Sequence, residues 1–130
     1  MLILLTGIFF VSCNNNENKK QQGTTEIAQI GENNVSYKIG DHVPTELVCM
    51  VNNAFMGKAQ MEVPVDGKMY YGCCEMCVGR LNNDESSRMA TDPFSGNAVD
   101  KAEAYIVLAD EEGRVDYYES EENYRAVTKE

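Results

Sequence analysis

Four of the chain's five cysteines fall between positions 49 and 77, and Cys73, Cys74 and Cys77 crowd into one short stretch, GCCEMC. No other feature restricts the fold as much. Side chains at i, i+3 or i, i+4 of one helix project to the same side, so Cys77 shares a face with either Cys74 or Cys73. Cys49 joins them only if the intervening chain turns back on itself. Asp66-Gly67, set between AQMEVPV and KMYYG, is a tight-hairpin signal that does this. Thiolates gathered in this way select soft ions such as Cu(I) or Zn(II). A helix N-terminus stabilises them further, through its unpaired amides and dipole. The same sulfurs also suit disulfide or redox use, for instance Cys49 with Cys77, or an activated Cys73 or Cys74 at the helix start. Spacing leaves both uses open. Cys73 and Cys74 cannot both face one side of a helix, so one of the pair is expected to pack.

Methionines surround this constellation. A thioether is a soft ligand, and Met50, next to Cys49, and Met76, between the helix cysteines, are the best placed. Met56 and Met69 read more simply as flexible filler. His42 is the only histidine and reads as a loop residue, and without a Ser-His-Asp arrangement hydrolytic chemistry has no support. Glu75 reads as a helix-start or solvent residue. No Gly-rich phosphate loop is present. A net charge of −10 argues against nucleic acid and anionic lipid headgroups as partners, since both require facing Lys and Arg.

The first twelve residues, MLILLTGIFFVS, are apolar and uncharged, and the chain turns polar immediately after Cys13. About 18 apolar residues are needed to span a bilayer, so the run reads as the core of a secretion signal. Phe10-Val11-Ser12-Cys13 resembles a bacterial lipobox. That resemblance implies removal of residues 1–12 and a lipid on Cys13, which anchors the chain to a membrane of the bacterial cell envelope, facing the periplasm or the outside. Residues 13–36 are rich in Asn, Gln, Gly and charge and read as a tether. Residues 37–130 then form one small domain. A core of this size often needs a metal or a disulfide to hold it.

The domain is predicted to be α+β, with two β-hairpins each followed by a short helix and the Cys cluster between the first hairpin and its helix. The first hairpin pairs Ala59–Val65 with Lys68–Gly72. Its helix carries Cys74, Cys77, Val78 and Leu81 as an apolar stripe. Residues 84–100 hold turn chemistry in Asp92-Pro93 and Ser95-Gly96-Asn97. Ala104–Ala109 and Arg114–Tyr118 form the second hairpin, and Ser120 caps a last helix from Glu121 to about Val127. Tyr70, Tyr71, Tyr105, Tyr117 and Tyr118 pack the two hairpins.

The stretch from Val48 to Arg88 resembles the YHS and TRASH-like heavy-metal-binding domains. It has a first Cys (Cys49), a Gly-Lys aromatic strand (GKMYYG), and a Cys-x3-Cys opening a helix (Cys73 and Cys77), with Cys74 completing the doubled Cys at the strand end. The tail from Thr91 to Tyr124 resembles NosL-like copper-associated lipoproteins. Together with the lipobox, the combination resembles MlpB-type heavy-metal-binding lipoproteins. The resemblance implies a non-enzymatic protein that binds copper or zinc, with Cu(I) favoured, through Cys49, Cys73 and Cys77. Cys74 and Met50 are further candidate ligands, and a metal-donor or acceptor protein is the expected partner.

Overall fold

The computed structural model describes residues 35–129. The expected signal segment, the lipidated Cys13 and nearly all of the tether lie outside the described residues. The rest is α+β, with eight short strands in four antiparallel ribbons and two helices.

The first predicted hairpin forms from β3 (Met61–Val65) and β4 (Lys68–Gly72), in the register Val63 opposite Tyr70. Asp66 and Gly67 both take positive φ, 50° and 79°, which matches a two-residue turn whose twist suits the flanking strands. The inner face presents Val63 and Tyr70 to the core, while Glu62, Pro64 and Met69 alternate outward. Helix α1 (Glu75–Asn83) follows directly and buries Cys77 and Leu81 against this face. The second predicted hairpin joins β7 (Tyr105–Leu108) to β8 (Val115–Tyr118) and leads into α2 (Glu121–Thr128). Ser120 caps α2 as expected, its hydroxyl accepting from the Asn123 amide at 3.2 Å.

Two further ribbons were not expected. β1 (Val48–Cys49) pairs with β2 (Ala54–Phe55), and β5 (Met89–Thr91) pairs with β6 (Ala98–Asp100) inside the stretch read only as turns. Strands of two or three residues are too short to display a period-two alternation, so their sequences carry no readable pattern. Their pairing comes from what flanks them. Phe55 donates to the Gly113 carbonyl at 2.7 Å and Val115 to the Asn53 carbonyl at 3.0 Å, seating the first ribbon against the β7–β8 hairpin. On the other side, Val43 donates to the Ile106 carbonyl at 3.0 Å. The core gathers Val43, Val48, Met50, Val63, Tyr70, Leu81, Val99, Ile106, Leu108, Val115 and Tyr117 from nearly every element. His42 is exposed and stacks on Tyr105 with ring centroids 4.3 Å apart. Among the described residues no helix is long and apolar enough to cross a membrane.

The β5–β6 turn is held by Asp92, a fully buried carboxylate. Burial by itself raises such a group, but four N–H donors outweigh it and hold Asp92 below the usual carboxylate range. They are the Asn123 side-chain amide and the backbone amides of Glu119, Phe94 and Ser95, at 2.7–3.2 Å. Asp92 thereby ties the turn to the start of α2. Asp92→Ala strands those donors and is expected to cost about 2–4 kcal/mol at neutral pH in urea unfolding. Because the folded-state carboxyl is the stronger acid, its contribution is complete above the ordinary carboxylate range, about pH 4, and fades as pH falls through the lowered folded value. The deficit of the variant should therefore shrink on acidification, and a deficit that grew would contradict this account.

Candidate metal centre

Cys49 stands at the end of β1, and the chain reverses through Met50–Asn53 before β2. Asn53 accepts a left-handed backbone, φ 53°, which suits its short polar side chain. Cys73 and Cys74 sit between the end of β4 and the start of α1. The helix begins two residues later than the Cys spacing suggested, with Cys74 as its N-cap at φ −157°, ψ 168°. Neither Cys73 nor Cys74 is therefore inside the helix, and the expectation that one of them packs into the core is not met. Cys73 is half-buried and Cys74 exposed, while Cys49 and Cys77 are buried.

The four sulfurs converge around Cys77. Its Sγ lies 3.9 Å from that of Cys49, 3.6 Å from that of Cys73 and 3.5 Å from that of Cys74. The ligand atoms of Cys49, Cys73 and Cys77 all fall within 4.8 Å of one another, and Cys74 stands outside that mutual group. Thiolates bound to one tetrahedral ion at bonds of about 2.3 Å sit roughly 3.8 Å apart, so the three sulfurs are already spaced to share an ion.

Hydrogen-bond donors surround the cluster. Burial pushes the Cys49 thiol up, but the backbone amides of Asn52, Cys73 and Val51 face its sulfur and prevail, leaving it below the ordinary thiol range. The Asn52 side-chain amide donates to Cys73 Sγ at 3.4 Å. Cys74 is lowered first by the Cys77 amide and then by the neighbouring Cys77 thiol, with the Met76 amide contributing, as expected at a helix start. Cys77 moves the other way. Burial, the adjoining Cys74 and Cys73 thiols and the Cys49 charge push it up to about 12. Cys73 is also raised, mainly by its contact with Cys49. Crowded thiols cannot all ionise beside one another, so the cluster keeps protons until a cation takes their place.

Three residues that shape the centre were not singled out from the sequence. Asn52 is one; a doubled Asn after Cys-Met-Val signals a turn, though not a bond to sulfur. Gly72 is the second. A Cβ there would lie 2.9 Å from Cys77 Cβ and 3.3 Å from the Val78 nitrogen, so only glycine lets β4 approach α1 this closely. Its place directly before the doubled Cys was the available signal. The third is Lys101, only 4% exposed, which donates to the Met50 carbonyl at 2.6 Å and to the Ser87 carbonyl at 2.9 Å. Burial lowers its ammonium to about 8, while the Cys49 charge pulls the other way. DKAEAY gives no sign of a buried lysine.

The methionines divide. Met50 is fully buried within the apolar core. Met56 and Met69 are exposed, and Met76, at 76% exposure, projects from the first turn of α1. Glu75 also faces solvent in that turn. No family model, curated protein or solved structure matches the chain.

The close approach at Gly72 is directly testable. Gly72→Ala is expected to push α1 off β4, costing about 1–3 kcal/mol of stability as an overpacked contact. It should also weaken metal uptake by the reduced protein at least tenfold. Unchanged uptake would mean that the sulfur spacing does not depend on this contact.

Proposed function

We propose that this chain is a lipid-anchored, non-enzymatic protein of the bacterial cell envelope that binds a soft heavy-metal ion through Cys49, Cys73 and Cys77, for sequestration or delivery. The observation that carries the reading is the convergence of three sulfurs from two distant segments within 4.8 Å of one another. Two of them are buried and one is half-buried, so an ion held there is shielded but reachable. An all-sulfur donor set favours Cu(I) first and Zn(II) second, because thiolate is a soft ligand. Three protein sulfurs satisfy a three-coordinate Cu(I). They leave a position free on a four-coordinate ion, where a donor or acceptor protein can present its own ligand. The resemblance of residues 48–88 to the YHS and TRASH-like domains belongs to this proposal and supports the same ligand set.

Anaerobic titration of the fully reduced protein tests the reading. One equivalent of Cu(I) should bind reversibly, and Cys49→Ser, Cys73→Ser or Cys77→Ser should weaken it by about a hundredfold or more, the scale of losing one thiolate ligand from a three-sulfur site. Met50→Leu keeps the core filled and removes the thioether, so unaltered affinity is expected. A reduced protein that takes up neither Cu(I) nor Zn(II) sinks the proposal. Zinc whose chelation unfolds the domain would instead make the centre a structural staple.

The anchor has its own test. In the bacterial host the chain should incorporate labelled palmitate and partition with membranes. Cys13→Ser should lose the label and, with it, membrane association. Label retained by the variant would remove the lipid from Cys13.

A further inference from the structure

Cys74 is the sulfur that the metal reading does not use. It is exposed, it lies outside the three-sulfur group, and its Sγ is only 3.5 Å from Cys77, the sulfur on which the other two converge. The two residues also occupy the N-cap and the first turn of α1, where an i, i+3 pair faces one side. An ion held by Cys49, Cys73 and Cys77 leaves Cys74 as the one thiol of the cluster still open to solvent. We propose that Cys74 and Cys77 form a disulfide under oxidation and that this bond empties the metal centre. The centre would then hold its ion in a reducing setting and release it on contact with a disulfide oxidant. The bond is a property of the thiols alone; its consequence for the ion rests on the metal reading above.

The chemistry balances with a small-molecule disulfide, RSSR, as the oxidant. Cys74 attacks one sulfur of RSSR, forming a mixed disulfide and expelling RS⁻, which takes up the Cys74 proton as RSH. Cys77 leaves the ion as thiolate and attacks the Cys74 sulfur, expelling the second RS⁻. Two protein sulfurs are oxidised, one RSSR is reduced to two thiol equivalents, and the ion is freed. Cys49 and Cys73 remain, two sulfurs where the centre had three.

The experiment uses the full reduced chain loaded with Zn(II) and exposed to excess oxidised glutathione. Zinc is read with a chromogenic chelator, thiols are counted, and the linked residues are located by fragmentation mass spectrometry. One zinc should be released as two thiols disappear, with the bond found between Cys74 and Cys77. Cys74→Ser places a good N-cap residue at the helix start, so the variant is expected to fold. It should bind zinc within about threefold of the parent, since the ion keeps its three sulfurs, and release it at least tenfold more slowly, because the attacking thiolate is gone. Cys73→Ser, oxidised without metal, should still form the Cys74–Cys77 bond. The proposal is overturned by a bond mapped to Cys49 or Cys73, by undiminished release from Cys74→Ser, or by loss of zinc binding in that variant. A reduced chain that takes up no zinc or copper defeats the metal reading and, with it, the release of an ion, while mapping of the bond in the metal-free chain separately decides whether Cys74 and Cys77 pair.

Discussion

Met50 holds the two halves of the sulfur cluster in register by three separate means. Its amide donates to the Tyr71 carbonyl at 2.9 Å, which fixes the Cys49 turn against the end of β4, next to Gly72 and Cys73. Its carbonyl accepts from the buried Lys101 ammonium at 2.6 Å. Its fully buried side chain belongs to the apolar core. Cys49 is separated from Cys73 by 23 residues, so the entropy of bringing them together is substantial. The hairpin turn at Asp66-Gly67 limits that cost, and the contacts of Met50 offset the remainder. Met50 thus contributes to the centre through backbone bonds and packing.

A buried lysine is costly unless its charge and protons are met. Lys101 meets its protons with two carbonyls and the face of Tyr117, whose ring centroid is 5.3 Å away. Among the described residues no carboxylate lies within ion-pair distance of it. Its electrostatic partner is the thiol cluster, where Cys49 is the group that pulls its ammonium back up. The chain therefore places a buried amine, weakened as a base by its burial, against the Met50 turn next to Cys49. The amides facing Cys49 and the Asn52 contact to Cys73 add partial positive charge from the other side. Together they favour the thiolate at Cys49, while Cys73 and Cys77 are held protonated until a soft cation takes the place of their protons.

Elements that carry their own signal were readable in advance. Asp66-Gly67 demands positive φ at both turn positions, and the β3–β4 hairpin forms around it. The continuous apolar run AYIVLA, returned by RVDYY across a turn, shows β7 and β8, and Ser120 marks the start of α2 through a bond the chain makes locally. The β1–β2 and β5–β6 ribbons escaped because their partners, Gly113 and Val115 for the first and the Glu119 and Asn123 donors to Asp92 for the second, are distant in sequence. Cys74 was read as part of a helical stripe, yet it caps the helix in extended backbone, since the start of α1 is set by packing of Gly72 against Cys77.

Residue order alone fixed which atoms were available: soft sulfurs at close spacing, a tight turn to fold one group toward the other, and few competing ligands such as His. These follow from local chemistry, which any short stretch of chain displays. Three-dimensional packing decided which sulfurs meet, that Cys77 is their shared neighbour, that Cys74 stays outside, and that Lys101 lies buried beneath them. Those outcomes depend on contacts between residues twenty to fifty positions apart, and no local pattern encodes a distance across a core.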